Sequence, residues 1–304
     1  MARERIGFIG LGRMGSGMAA NLVNADIDLH VYDVDAGAMQ RLVDKGATPC
    51  EDAADVAARV DLLFLCLPYT TEVDAALDGE RGVLAAARDG LAIVDTTTQN
   101  YFATVALGER CEKAGVGYSD CPISGMPHRA ADGTLTMMFG GSDAAFARAK
   151  PLLERMGRYI VHCGAVGSGQ MMKAINNIIY NVNIAAICEV MPLAVKAGLD
   201  VEQVAEVVTS GSARSFASEY FVPRILDGRF DGDFSMGAAY KDIVNVQEIA
   251  ARLGAATPVV NAMVATYQHA IAMGCGDEPK SAMIKVYERV LGLEVRHGVK
   301  AGGD

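Results

Sequence analysis

The sequence predicts an α/β, doubly wound domain over residues 1–165, followed by an all-α domain over residues 166–304. At 304 residues the chain is too long for one ordinary domain of roughly 150 residues, which favours two. Up to residue 165, short apolar runs alternate with alanine-rich stretches, as in βαβ units around a parallel sheet. From Gly169 onward the apolar residues follow the longer helical period.

The predicted elements follow from these two patterns. In the first domain the predicted strands are the apolar runs at 5–9, 29–32, 62–67, 92–94, 117–120, 134–139 and 159–162. In the second domain the predicted helices lie at 170–196, 201–209, 238–253 and 258–272. At 1.5 Å per residue the first of these helices would be about 40 Å long, enough to reach from one domain into the other or into a second subunit.

Composition argues against several classes of protein. The net charge of −10 disfavours a nucleic-acid partner, because phosphate binding needs a surplus of Lys and Arg on one face. The seven cysteines form no Cys-x-x-Cys pair and no cluster with histidine, so we expect reduced thiols and no metal site. Charge or glycine interrupts the apolar stretches before the roughly 18 to 20 residues that a membrane span needs, and the first residues leave no room for a signal peptide. We therefore expect a soluble, cytoplasmic protein without a membrane partner.

The strongest local motif is the glycine-rich turn Gly10-Leu11-Gly12-Arg13-Met14-Gly15, which directly follows the first strand and precedes a helical run. In such a turn the first glycine permits the tight bend, the second lets the backbone approach a pyrophosphate, and the third lets the helix pack closely on the strand. The N–H groups at the start of the helix then face the negative charge. With both flanks present, the motif predicts a Rossmann-type dinucleotide site rather than a plain glycine-rich βα turn.

An acidic residue follows the second predicted strand. Asp33 lies 21 positions after Gly12, which fits the acidic residue expected about 20 positions on. Its carboxylate would accept hydrogen bonds from the adenosine ribose, and a 2′-phosphate there would meet a like charge with no arginine in Val34-Asp35 to neutralise it. NAD is therefore favoured over NADP. The alternative interpretation is that Asp33 only caps the turn after the strand.

A second glycine turn opens the long helix, in the segment Gly167-Ser168-Gly169-Gln170-Met171-Met172-Lys173-Ala174-Ile175-Asn176-Asn177. Lys173 and Asn177 are four residues apart, so they project from one face on adjacent turns. Burial beside a positive nicotinamide ring would lower the pKa of Lys173, and neutral Lys173 could take a hydroxyl proton while Asn177 holds the reacting oxygen. Taken alone, a lysine on a helix is more often a solvated surface charge.

A third segment, Asp120-Cys121-Pro122-Ile123-Ser124-Gly125, stands in order between these two. Together with the glycine-rich turn, the downstream Met18-Ala19-Ala20-Asn21-Leu22 and the lysine segment, it resembles the β-hydroxyacid dehydrogenases, which include 3-hydroxyisobutyrate dehydrogenase and tartronate semialdehyde reductase. The resemblance covers nearly the whole chain. It implies an NAD-dependent enzyme that interconverts a small β-hydroxy acid and its semialdehyde or keto form.

The resemblance also implies a role for each matching residue. Lys173 would be the acid/base, Ser124 and Gly125 would bind the substrate carboxylate, and Asn177 would contact the substrate. The implied cofactor contacts are Leu67, Pro68, Thr98 and Lys241. Without the resemblance, Leu67-Pro68 would indicate the end of a strand, Thr98 a helix N-cap and Lys241 an ordinary surface charge. Helix-rich second domains of this family imply a homodimer or homotetramer.

A departure from the family pattern lies in the substrate motif. Met126 stands where the family has a second glycine after Ser-Gly, so its side chain is expected to line the substrate site and reshape it. His128 and Arg129 follow and could add a titrating group and a partner for an anionic group, although a solvated loop is the simpler interpretation.

Two other functions remain open at this point. The same fold could reduce an imine, or the chain could be a non-catalytic NAD-binding module.

Overall fold

The computed structural model describes residues 4–23, 27–232 and 234–298. The chain folds into two compact units, Met1–Lys173 and Ala174–Asp304. The sequence placed the boundary after residue 165. The division lies inside a helix, Ser168–Lys196, so the first turns of that helix belong to the first unit, and the predicted boundary falls just before the helix begins.

The first unit is built on one sheet, with nine strands among the described residues. They are β1 (Arg5–Ile9), β2 (Asp28–Tyr32), β3 (Thr48–Pro49), β4 (Leu62–Leu65), β5 (Ala92–Asp95), β6 (Gly117–Asp120), β7 (Ile123–Ser124), β8 (Leu135–Gly140) and β9 (Gly157–Gly164). Each of the seven predicted runs overlaps one strand. The two-residue strands β3 and β7 were not predicted.

The strands run in the order β3-β2-β1-β4-β5-β6, with every neighbouring pair parallel. This is the order of a doubly wound dinucleotide-binding sheet, whose ligand crevice opens at the carboxyl ends of the strands where the order reverses, here between β1 and β4. Beyond β6 the sheet departs from the parallel prediction. β8 pairs antiparallel with β6 and β7, and β9 lies parallel to β8.

Helices cover both faces of this sheet. They are α1 (Gly15–Val23), α2 (Ala36–Val43), α3 (Ala53–Arg59), α4 (Thr70–Leu77), α5 (Val83–Ala86), α6 (Tyr101–Lys113), α7 (Pro127–Ala131) and α8 (Asp143–Met156). Along β4, Leu62 and Phe64 belong to one buried cluster, and Leu63 and Leu65 to another. Since successive side chains of a strand point to opposite faces, each face has its own core, and the doubly wound prediction is confirmed.

The second unit is helical. Its elements are α9 (Ser168–Lys196), α10 (Val201–Ser210), α11 (Phe216–Leu226), α12 (Met236–Leu253), α13 (Pro258–Ala270), a π-turn (Ile271–Cys275), a 3₁₀ turn (Lys280–Met283) and α14 (Ile284–Leu291). Between residues 174 and 298, the described part contains no strand beyond an isolated bridge of Ser235 with Pro279. The all-α prediction is confirmed, although α11 and α14 were not predicted.

Helix α9 requires a correction to the expectation about membranes. By length and composition alone it is long and apolar enough to cross one, contrary to our expectation that charge or glycine interrupts every such stretch. Half of its most apolar window is buried inside the chain, as in the core helix of a folded domain.

Candidate active site

The three glycines of the turn after β1 meet different surroundings. Gly10 has φ +94°, and a Cβ there would overlap the carbonyl of Cys66 at the end of β4. A Cβ on Gly15 would overlap the carbonyl of Gly10, so the close packing of α1 on the strand requires both glycines. A Cβ on Gly12 would meet no protein atom within 4 Å. The chain's own packing therefore does not require a glycine at position 12, whereas a pyrophosphate lying against the backbone does, and the turn fits a dinucleotide.

Asp33, directly after β2, is fixed beside this turn. Its Oδ2 accepts a hydrogen bond from the Leu11 N–H at 2.5 Å, and its Oδ1 accepts one from the Asp35 N–H at 2.7 Å. The bond to Asp35 is the turn-capping contact of the alternative interpretation. The bond to Leu11 also brings the carboxylate to the glycine turn, where the remaining lone pairs can accept from a ribose. Of the other turn residues, Arg13 is exposed and Met14 packs against the core.

The loops after β4 and β5 lie side by side. The Leu67 N–H donates to Thr97 Oγ1 at 2.9 Å, and Pro68 follows as an exposed residue before α4. Thr98 is half-buried in the loop between β5 and α6. It is not the helix cap, because Asn100 accepts two backbone N–H groups of α6 at 2.9 and 3.1 Å. The N-cap alternative for Thr98 is therefore wrong.

A buried polar network underlies these loops. Asp95 ends β5, and it accepts from the Thr97 N–H at 2.9 Å and from Gln99 Nε2 at 2.6 Å. The Tyr118 hydroxyl also donates to it, at 3.0 Å. Burial raises the pKa of Asp95 to about 6, against the lowering effect of these hydrogen bonds.

A second buried carboxylate, Asp120, lies opposite Asp95 on the neighbouring strand β6. It accepts from the Gly167 N–H at 2.6 Å and from the Gln170 N–H at 2.8 Å, so it holds the beginning of α9. Burial raises its pKa to about 6, and the charge of Asp95 contributes in the same direction. The sequence named Asp120 only as part of a motif, and Asp95, Gln99 and Gln170 were missed. Acidic residues that end two adjacent buried strands were the available signal.

Ser124 ends β7 as a half-buried residue, and Gly125 follows at φ +148°. The positive φ favours glycine there, and a Cβ would lie 2.7 Å from Leu135 Cδ2, so the end of that side chain would have to shift. Met126 has φ −95° and ψ 166°, an extended conformation open to any residue, and it is only partly buried.

The loop residues after Met126 make local contacts. The Arg129 guanidinium donates to the Thr134 carbonyl, across the turn that joins α7 to β8. His128 is exposed on α7. This contact of Arg129 with its own loop fits the simpler interpretation, in which the segment is a surface loop and Arg129 is not a partner for an anionic group.

Lys173 and Asn177 lie on adjacent turns of α9, and both are half-buried. The Asn177 Nδ2 donates to Asp242 Oδ2 of α12 at 2.8 Å, and its Oδ1 accepts from Asn176 Nδ2 at 3.2 Å. Asp242 follows the half-buried Lys241 on α12. It orients the Asn177 amide, a role that the sequence did not reveal.

No group of three or more His, Cys, Asp or Glu side chains among the described residues could hold a metal ion. Burial raises the pKa of the thiol of Cys66, next to Leu67, to about 12, so this cysteine is a neutral packing residue.

Comparisons with known proteins cover almost the whole chain. Residues 5–164 match the family model described as the NAD binding domain of 6-phosphogluconate dehydrogenase, and residues 167–287 match the one described as NAD-binding of NADP-dependent 3-hydroxyisobutyrate dehydrogenase. The 2-(hydroxymethyl)glutarate dehydrogenase of Eubacterium barkeri is 35% identical over 97% of this chain and 98% of its own length.

Solved structures agree with these matches. The 3-hydroxyisobutyrate dehydrogenase of Mycobacterium tuberculosis, determined with L-serine, superposes with a TM-score of 0.85 at 30% identity, over 94% of this chain and 99% of that one. An imine reductase from Myxococcus stipitatus, with NAD⁺, superposes over 94% of this chain and 99% of its own with a TM-score of 0.64. At 17% identity it shares the fold alone.

Proposed function

The chain belongs to the β-hydroxyacid dehydrogenase family, and from that premise we propose that it is an NAD-dependent dehydrogenase in which Lys173 acts as general acid/base on a small β-hydroxy acid. That it is an NAD(P)-binding oxidoreductase of the hydroxy-acid type follows from the family. The observation that carries the rest is Asn177, one turn from Lys173, with its amide fixed by Asp242 at 2.8 Å. A solvated surface lysine needs no oriented amide beside it. A lysine and an amide that contact the same substrate oxygen do need this arrangement.

The glycine turn and Asp33 support NAD as the cofactor. The Leu11 N–H fixes the Asp33 carboxylate beside Gly12, where a 2′-phosphate would face a negative charge. We expect Leu67, Pro68 and Thr98 to line the cofactor, and Lys241 to close over it together with the substrate. When bound, NAD supplies the acceptor for the hydride that leaves the carbinol carbon.

The chain's own residues would carry the remaining steps. Ser124 and the backbone at Gly125 bind the substrate carboxylate, and Asn177 holds the hydroxyl oxygen. Neutral Lys173 Nζ takes the hydroxyl proton as the C–O bond becomes C=O, and in the reverse direction its ammonium returns that proton. Lys173 is half-buried, as expected of a residue that lines a substrate site.

The names of the related proteins suggest the substrate class. L-serine, 3-hydroxyisobutyrate and 2-(hydroxymethyl)glutarate share the unit HOCH₂–CH(R)–COO⁻ and differ only in R. We propose a substrate of this form, whose R group meets Met126.

We also propose a homodimer or homotetramer. Along α9 a row of apolar side chains stays exposed in the single chain: Ile175 (47%), Ile179 (57%), Val190 (51%) and Leu193 (60%). Their spacing puts them along one side of the helix. An apolar stripe of this kind usually marks an interface, and a monomer mass by light scattering would contradict it.

The test is NADH formation from a panel of acids of the HOCH₂–CH(R)–COO⁻ form, alongside aldehydes and cyclic imines, with the wild type and a Lys173→Ala variant. Lys196→Ala, at the exposed end of the same helix, is the matched control. We expect one hydroxy acid to be oxidised by the wild type and the control, and not by Lys173→Ala. Turnover of imines alone would favour an imine reductase, and NAD binding without turnover of any compound would favour a non-catalytic module.

A further inference from the structure

The side chain of Gln170, in the first turn of α9, hydrogen-bonds to the backbone of the loop between β5 and α6. It is only 2% exposed. Its Nε2 donates to the Thr97 carbonyl at 2.7 Å, and its Oε1 accepts from the Gln99 N–H at 3.0 Å. These two backbone groups flank Thr98, so one amide holds the chain on both sides of that residue.

The backbone of Gln170 is held as firmly as its side chain. Its N–H donates to Asp120 Oδ2 at 2.8 Å, and the Gly167 N–H donates to Asp120 Oδ1 at 2.6 Å. Asp120 ends β6, close in sequence to Ser124. The first turn of α9 is therefore hydrogen-bonded to the loop that carries Thr98 and to the end of β6, which leads to Ser124.

Gln170 is three residues before Lys173 on α9, so the two side chains are neighbours on the helix surface. Reacting groups must be held within a few tenths of an ångström, and a misplacement of about 1 Å can cost on the order of a hundredfold in rate. A rigid link between the Thr98 loop and the Lys173 turn would keep the hydride acceptor and the proton acceptor of the proposed reaction at a constant separation.

We propose that Gln170 is a positioning residue for hydride transfer, which fixes the Thr98 loop to the helical turn that carries Lys173. This inference rests on the proposed function. Gln170 touches neither the reacting atoms nor the cofactor in this role. It acts through the backbone at Thr97 and Gln99.

Two variants test the donor and the acceptor of the Gln170 amide. Gln170→Met keeps the length of the side chain and removes both hydrogen bonds. Gln170→Glu keeps the acceptor for the Gln99 N–H, but it can donate to the Thr97 carbonyl only when the carboxyl is protonated. Gln40→Met removes an exposed amide that donates to Asp44 at 2.7 Å, and it is the matched control.

The first readout needs no turnover. Amide hydrogen exchange of the segment 97–100 in the cofactor-free protein should be about tenfold faster in Gln170→Met and unchanged in Gln40→Met. Equal exchange in Gln170→Met and the wild type, with both folded by circular dichroism, would overturn the inference.

The second readout is kinetic. In Gln170→Met we expect kcat to fall by about tenfold to a hundredfold, KM for the hydroxy acid to change less than threefold, and the isotope effect with substrate deuterated at the carbinol carbon to increase. The ratio of kcat in Gln170→Glu to kcat in the wild type at the same pH should rise as the pH is lowered, because its protonated carboxyl reproduces the amide's donor and acceptor.

Faster exchange with an unchanged kcat, or a loss that resides only in KM, would overturn the positioning role. A wild type that oxidises no hydroxy acid would overturn the proposed function and, with it, the positioning role. The exchange measurement distinguishes the two failures. Faster exchange in Gln170→Met would show that the Gln170 contacts hold the loop even if the wild type oxidises no hydroxy acid.

Discussion

Lowering the pH from 7 to 5 should stabilise the fold through Asp95 and Asp120. Both carboxyls are fully buried, and burial raises each pKa from 3.8 to about 6. A carboxyl whose pKa is higher in the folded chain binds its proton more tightly there. The stability it contributes is fully present below 3.8 and is lost as the pH rises through 6.

The rise of about two pKa units means that each ionised carboxyl destabilises the fold by about 3 kcal/mol at neutral pH, since one pKa unit corresponds to about 1.4 kcal/mol. Between pH 7 and 5, about 1.3 kcal/mol of this destabilisation should be relieved for each group, or about 2.6 kcal/mol for the pair. Because the two side chains face each other on adjacent strands, their protons are coupled, and the sum belongs to the pair.

Urea unfolding at pH 5, 6 and 7 measures this slope in the wild type, in Asp120→Asn and in the exposed control Asp89→Asn. The free energy of unfolding should rise less steeply towards pH 5 in Asp120→Asn, by about 1 kcal/mol, and the control should follow the wild type. Carbon NMR titration of the two carboxyls gives the same information without a variant. If both titrate near 3.8, the reasoning from burial is refuted.

Three further predictions concern the active site. In Asp33→Asn, the ratio of kcat/KM for NAD to that for NADP should fall about tenfold or more, because the negative charge beside the ribose is lost; an unchanged ratio would contradict it. In Asp242→Ala, which frees the Asn177 amide, kcat should fall about tenfold while the dissociation constant of NADH, followed by fluorescence, stays the same; a loss confined to NADH binding would argue against an orienting role. Gly125→Ala should lower the free energy of unfolding by roughly 1 to 3 kcal/mol, because of its positive φ and the contact with Leu135, and urea melts showing no loss would count against the strain.

The parts of the fold that the sequence predicted are those determined by local pattern. The glycine turn after β1 could be identified because the tight bend and the helix packing depend on neighbouring residues, and Gly10 and Gly15 meet those constraints. The two-residue strands β3 and β7 could not, because so short a run has no period to detect. The antiparallel pairing of β8 was also hidden, since pairing direction depends on how the chain returns to the sheet.

The buried network of the site had no sequence signature of its own. Gln99 and Gln170 are ordinary polar residues by composition, and only the packing of α9 against the end of β6 makes them buried partners. The cap of α6 shows the same limit on a smaller scale. Thr98 and Asn100 are both acceptable N-cap residues, and the choice between them depends on where the helix starts.

We expect Gly125 and Met126 to serve two different parts of substrate recognition. At Gly125 the positive φ and the contact with Leu135 disfavour a side chain, and we expect its backbone to bind the carboxylate that every acid of the HOCH₂–CH(R)–COO⁻ form has in common. At Met126 the backbone is extended and accepts any residue, so a change from glycine to methionine leaves the local fold intact and alters only the space beside it. We therefore expect variation at this position to change which R group is accepted, while the proposed carboxylate site and the oriented Asn177 stay the same. The side chain at position 126, rather than the shared motifs, is where the identity of the acid is expected to be decided.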